Sequence, residues 1–298
     1  MKYAFPLAAA ALLALPSMAA AEISGAATVG LGRSTVDGAS EEINEYSLDF
    51  DFNYAGTGNL SFGASGGFRR LDVGGGDEID ITRINLEGIY SLNNGFSVGA
   101  YLARVGLGVG GSDEDINAYG LLFGFGGSEF EGELALGQVE IDGQDANEVS
   151  FFGRYNLSQQ TQLLGEVGFM REDGAGFNLY GLGVNHAIND QFGVYGALRR
   201  AETTDDGGFE ATEFSIGVDY RLDAISSVGA LLSLELARNN FDTGVGGDLN
   251  VNTVRLGVTL PLGGNGSKAL PLNSGASSLM GNTRSTLQRV YSSGSLFF

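Results

Sequence analysis

The chain has no cysteine, no tryptophan, a single histidine (His186) and only 4 prolines in 298 residues. Without cysteine, neither a disulfide framework nor a thiolate site can form. Basic residues are scarce, at 16 Lys and Arg against 36 Asp and Glu, for a net charge of −20. Such a chain repels phosphate backbones, which excludes nucleic acid as a partner. Long apolar runs are also missing. The one candidate, Ala4 to Leu15, follows Lys2 and precedes Ala19-Ala20-Ala21, the pattern of a secretory signal peptide cleaved before Glu22. It is too short for a membrane-spanning helix, and no later run is long enough. No cysteine follows it, so a lipid anchor of the lipoprotein kind is excluded. These absences leave an exported chain that is either soluble or a barrel.

What is present is alternation. Hydrophobic residues make up 43% of the chain, too many and too regularly spaced for an acidic disordered polymer. Tyr46, Leu48, Phe50, Phe52 and Tyr54 share one face of a strand, and Ser47, Asp49, Asp51 and Asn53 share the other. The period-two rule gives about 14 strands, with 12 or 16 as alternatives. Their spans are 22–34, 44–54, 60–73, 79–92, 96–108, 116–126, 130–141, 149–157, 161–171, 177–187, 192–200, 211–222, 229–239 and 250–262. The expected lipid face includes Ile84, Leu86 and Tyr90, Tyr119 to Phe125, Phe214 to Leu222, and Val254 to Leu260, taken at every second residue. Charges such as Arg83, Glu87, Glu213, Asp219, Arg221, Glu235 and Arg255 fall on the opposite face, which suits a wet lumen.

The connections read as two alternating classes. One is short and turn-like, as at 56–59, 93–95, 126–129, 158–160, 188–191 and 223–227. The other is acidic and glycine-rich, as at 35–43, 74–78, 109–115, 142–148, 172–176, 201–210 and 240–249. Tight periplasmic turns and longer outer loops are the habit of an up-and-down transmembrane barrel. Tyr54, Phe62, Tyr90, Phe96, Phe125, Phe130, Tyr155, Phe192 and Tyr220 cluster beside the short turns, where an interfacial girdle belongs. A soluble sandwich or solenoid would also alternate, but it would not gather its aromatics at one set of turns. The fold expected is therefore all-β: a closed antiparallel up-and-down transmembrane β-barrel over residues 22–262.

Near the end of the last strand, Arg255-x-Gly257-x-x-Leu260-x-Leu262 resembles the β-signal of Gram-negative outer-membrane proteins, and the terminal Phe298 is also typical of such barrels. The match is partial, because the last β-signal positions are usually aromatic. Together with the signal peptide, periodicity and turn pattern, residues 1 to about 262 resemble the bacterial porin superfamily. The resemblance implies passive diffusion of ions and small hydrophilic solutes across the outer membrane, with charged lumen side chains setting ion preference. It also implies a barrel-assembly machinery, lipid and lipopolysaccharide as partners, no cofactor and no enzymatic activity. Oligomerisation is left open, because no loop is long enough to fold inward as in general porins.

By this register the pore-lining acids are Asp49, Asp51, Glu87, Glu133, Glu166, Glu213, Asp219 and Glu235, with Glu45 and Glu131. The pore-lining bases are Arg69, Arg83, Arg154, Arg199, Arg221 and Arg255. Acidic excess in a pore concentrates cations, so weak cation selectivity is expected. For each residue alone, cross-strand pairing on a solvated wall is the plainer reading. A structural or adhesion barrel with a filled lumen, and a transporter of hydrophobic substrates, are the alternatives. The second would want an apolar lumen pocket and an inserted N-terminal segment, and Glu22 entering the first strand directly counts against it. Asp113-Glu114-Asp115, Asp142 to Glu148 and Asp205-Asp206 read as solvated outer loops. None has the spacing of a calcium loop, so no metal is expected. His186 shares the lipid-side phase of Tyr180, Leu182 and Val184 and reads as an interfacial residue, leaving no catalytic residue.

Residues 263–298 are rich in Gly and Ser and carry Lys268, Arg284 and Arg289 with no acid. This tail reads either as a periplasmic extension, with Leu287, Val290 and Tyr291 on one face of a short helix, or as a closing strand over 289–298. Opposite charge adds a bolder expectation, that the basic tail enters the acidic lumen as a partial plug.

Overall fold

The computed structural model describes residues 22–39, 42–56, 58–75, 77–141, 143–172, 174–204, 208–222, 229–242, 244, 247–263, 270–280 and 284–293. The expected signal peptide, Lys268, Asp205-Asp206 and Phe298 lie outside the described residues. The strands are β1 (Glu22–Val36), β2 (Glu42–Ala55), β3 (Leu60–Asp72), β4 (Glu78–Ser91), β5 (Phe96–Val109), β6 (Ser112–Gly126), β7 (Phe130–Ile141), β8 (Gln144–Asn156), β9 (Thr161–Glu172), β10 (Ala175–Ala187), β11 (Phe192–Thr203), β12 (Glu210–Arg221), β13 (Leu231–Asp242) and β14 (Asp248–Gly263). Each pairs antiparallel with its neighbours in sequence, and β14 pairs with β1 to close a 14-strand ring. Followed once around the ring, the pairing returns to β1 displaced by about 16 residues, for a tilt of about 40° and a backbone radius of roughly 13 Å. Once wall side chains project inward, that bore leaves room for one α-helix of about 10–12 Å diameter.

The outer surface is apolar between two belts. At the short-turn end Tyr54, Phe62, Tyr90, Phe96, Phe125, Phe130, Tyr155 and Phe192 point outward and are exposed. Phe125 packs on Phe130 at 5.3 Å, and Phe192 packs on Tyr220 at 4.7 Å. The register puts these aromatics on one level. At the opposite end Arg33, Arg70, Arg104, Arg171, Arg200 and Arg238, all on odd-numbered strands, also share one level. Most reach a carboxylate, as in Arg33–Glu42, Arg70–Asp80 at 2.7 Å and Arg200–Glu210 at 2.9 Å. The belts are roughly 20 Å apart along the axis, close to the height of a lipid-facing band.

Two expectations need correction. Several of the acidic, glycine-rich segments read as outer loops are partly strand: residues 109 and 112–115, 144–148, and 172 and 175–176 belong to β5 and β6, β8, and β9 and β10. Residues 110–111 alone join β5 to β6, with φ of 57° at Gly110 and 89° at Gly111, the left-handed pair that a type I′ hairpin turn requires. Asp113, Glu114 and Asp115 therefore lie in β6, and Glu148 lies in β8. The misreading has a physical cause. Beyond the lipid both faces of a strand are wet, so residues 112–115 are all exposed and hydropathy stops alternating while backbone pairing continues. The second correction concerns the end of the chain. The strand that closes the ring on β1 is β14, and residues 289–293, expected as the start of a closing strand, belong to an α-helix over Thr286–Ser293, α1, while 294–298 lie outside the described residues.

The described tail lies inside the ring. Leu270, Ala276, Leu279, Leu287 and Val290 are buried, and so are Arg284 and Arg289. A 3-10 turn over Ser277–Met280 precedes α1. The tail's hydrogen bonds reach β1, β4, β8, β11, β13 and β14, strands spread around the ring.

Candidate functional site

The lumen has three tiers, set by which residues each strand turns inward. At the short-turn end a vestibule of 1040 Å³ is lined by Asp51, Asn53, Glu133, Arg154, Gln162 and Arg284, among others. Arg154 pairs there with Glu131. Asp219 and Arg221 sit half-buried at the same end of β12.

The middle tier is an ion network. Arg255 donates to Glu45 at 3.2 Å and to Glu235 at 2.8 Å. Arg69 lies 2.9 Å from Glu45, and Arg83 donates to Asp49 at 2.5 Å. Arg199 donates to Glu166 at 2.8 Å and sits 3.9 Å from Glu213. These groups are all buried. Desolvating so many charges is tolerable because each guanidinium lies within ion-pair distance of a carboxylate, and Arg83, Arg199 and Arg255 direct hydrogen bonds to theirs.

The tail completes the network. Arg284 donates to both oxygens of Glu87, at 2.8 and 3.1 Å, and lies 3.1 Å from Glu133. Burial works against the charge of Arg284, but Glu133 and Glu87 outweigh it and hold its pKa above the ordinary value. Arg289 is buried 3.5 Å from Glu166, and there burial prevails and lowers the pKa. Glu148 accepts from the Thr286 N–H at 2.9 Å and from the Ser285 hydroxyl at 3.2 Å, so a carboxylate sits at the helix start. The Tyr101 hydroxyl holds the other oxygen of Glu148 at 2.5 Å. Glu235 accepts from the Gly275 N–H at 3.1 Å, and Arg199 donates to the Arg289 carbonyl at 3.0 Å.

The third tier, at the arginine end, reverses the usual barrel pattern. Ile43, Leu71, Ile81, Val105, Ile116 and Val139 turn inward around Leu287, with Tyr291 packed against them. Phe177, Leu179, Ala201, Ala211, Phe241 and Val251 turn inward around Val290. Inside is apolar and outside is charged at this level, so the barrel end is built like a small soluble core and holds α1 as its centre.

The residues expected from the sequence to line the pore share the phase of the buried positions of their strands, some fully buried and others, such as Asp51, Arg154, Asp219 and Arg221, partly exposed. The arrangement brings Asp49, Arg69, Arg83, Glu166, Arg199, Glu213, Glu235 and Arg255 into the wall network and leaves Glu87 and Glu133 to the tail. Sequence reasoning missed Glu148, which it put in a loop, and the apolar collar. Ala146, Glu148, Ser150 and Phe152 do alternate inward, and that was the available signal. In β14, Arg255 and Gly257 face inward, while Leu260 and Leu262 face out. His186 is half-buried and bonds Thr161 at 2.9 Å at the short-turn end. Among the described residues no acidic group has the arrangement of a metal site.

A closed barrel with an apolar exterior and a charged interior is a membrane-spanning β-barrel, the one sheet architecture that leaves no edge unpaired in lipid. The sequence pattern of the Gram-negative porins matches residues 26–175, and the chain belongs to that family. It is thus an outer-membrane barrel of the channel class. No curated protein matches its sequence. Among solved structures it is similar to TodX, a monoaromatic hydrocarbon channel, with a TM-score of 0.52 and 10% identity over 86% of this chain and 94% of that one. CymD, also a monoaromatic hydrocarbon channel, gives 0.51 at 9% identity over 82% and 89%. A FadL homologue of Pseudomonas aeruginosa gives 0.51 at 11% identity over 80% and 90%. Identities this low speak for the fold alone.

Proposed function

We propose that the protein is an outer-membrane channel for passive diffusion of ions and small hydrophilic solutes, with a preference for cations, whose path is occupied at rest by its own C-terminal segment. The observation that carries this reading is the polar, predominantly acidic inner wall below the collar, where Asp51, Glu87 and Glu133 add carboxylates beyond those paired to wall arginines. A wall of that sign draws cations into a low-dielectric bore. Pairing within the wall accounts for much of the remaining charge, so the preference rests on this excess. Arg255, Gly257, Leu260 and Leu262 in the closing strand serve as the assembly signal in the same reading. The deciding experiment is planar-bilayer conductance of the mature chain, with reversal potential under a KCl gradient. Stepwise, ohmic, cation-preferring openings are expected, and a chloride preference would sink the reading.

A second reading is favoured by the apolar collar. A hydrophobic solute entering at the arginine end meets apolar side chains and an inserted terminal segment, although that segment is the C-terminal one. Uptake of a small aromatic hydrocarbon by liposomes carrying the protein, without ionic conductance, would favour this reading over the first.

A further inference from the structure

Most buried wall carboxylates have a wall arginine as partner, as Glu45, Asp49, Glu166 and Glu235 do. Glu87 and Glu133 differ. Among the described residues their only ion-pair partner is Arg284, which the tail delivers. The contact is a fork, with two guanidinium nitrogens on the two oxygens of Glu87 at 2.8 and 3.1 Å, and Glu133 closes over Nε at 3.1 Å. Such planar, bidentate geometry selects a guanidinium over a spherical cation or an ammonium. The Ser150 hydroxyl donates to the Arg284 carbonyl at 3.1 Å and fixes the backbone behind it. The pocket is reachable, because Asp51, Glu133 and Arg284 all line the 1040 Å³ vestibule that opens at the short-turn end. That volume is at the upper end of what small-molecule sites use.

We propose that Glu87, Glu133 and Asp51 form a binding site for guanidinium-bearing solutes, which Arg284 fills from within as a tethered occupant. The proposal rests on the channel reading and names its solute class. A solute with the same fork competes with Arg284, and winning that competition frees one of the tail's holds on the wall. When Arg284 is absent, the three carboxylates face the vestibule with no guanidinium between them.

The test uses the full chain, with Arg284→Gln alone and combined with Glu87→Gln, and free L-arginine as the probe, L-alanine serving as control. Removing the fork should raise open probability in KCl about tenfold or more, from the usual strength of charged hydrogen bonds. Millimolar L-arginine on the short-turn side should then block the Arg284→Gln channel and raise its unfolding temperature, read as heat-modifiable migration in SDS. Both effects should vanish in the double variant. Where Arg284→Gln does not assemble, Arg284→Lys keeps the charge without the fork and should be blocked at higher L-arginine concentration. If L-arginine acts no differently from L-alanine on these variants, the site is an internal ion pair and the proposal is overturned. If L-arginine stabilises Arg284→Gln but no variant conducts, the site stands and the channel reading falls.

Discussion

Gly168 offers a direct way to fasten the tail. It faces the lumen in β9, and a Cβ at that position would lie 3.3 Å from the Cβ of Thr286 at the start of α1. Disulfide-linked Cβ atoms are about 3.5–4.5 Å apart, so the pair Gly168→Cys and Thr286→Cys needs only a small relaxation. The chain has no cysteine of its own, so this bond would face no competitor. Thr286 contributes its backbone N–H to Glu148, and that contact survives the change. The closed loop runs to more than a hundred residues, for which chain entropy gives about 4–5 kcal/mol of stabilisation. The oxidised protein should resist unfolding in SDS to a higher temperature than the reduced one, and should be electrically silent in bilayers. Reductant should restore openings at the frequency of the parent chain. Failure to cross-link under mild oxidation would mean α1 does not dock beside β9. A locked barrel that conducts like the reduced one would mean the tail lies outside the ion path.

Other outcomes follow from the same contacts. Val290→Asp puts a carboxylate with no arranged partner into a collar where Val290 has no exposed surface; it should cost several kcal/mol of tail docking and give frequent openings in bilayers. Arg255→Met leaves Glu45 and Glu235 buried without their shared partner and should destabilise the barrel by about 3–5 kcal/mol, read as a lower temperature of heat-modifiable migration. Replacing Glu87 and Glu133 together by Gln should shift the reversal potential toward zero; an unchanged potential would remove these residues from ion selection.

The strand number and the lipid face were legible because mid-membrane strands separate two solvents. Tyr46 to Tyr54 alternate as they do because one side of β2 meets lipid and the other meets a wet wall. Alternation names a phase, however, and not the solvent on each side of it. Ile43, Ile81, Ile116 and Val139 share the phase of Asp49 and Glu133, yet they pack against a helix whose apolar face could be read in the tail but whose place inside the ring could not. The tail itself was legible through charge, since three basic residues without an acid stand behind an acidic barrel. Its docking partners were not, because Glu87 and Glu148 are brought to Arg284 and Thr286 only by closure of the ring.

That closure also orders events in time. The lumen is not a place until β14 zips onto β1, and the segment that fills it lies beyond β14 in the chain. The tail's complete set of partners therefore exists only in the closed ring. A tail that inserts after closure would make the assembly pathway pass through an empty, water-filled barrel before the resident core is installed. Slow insertion of the tail would expose that intermediate as a transient leak, which the mature protein then seals by itself.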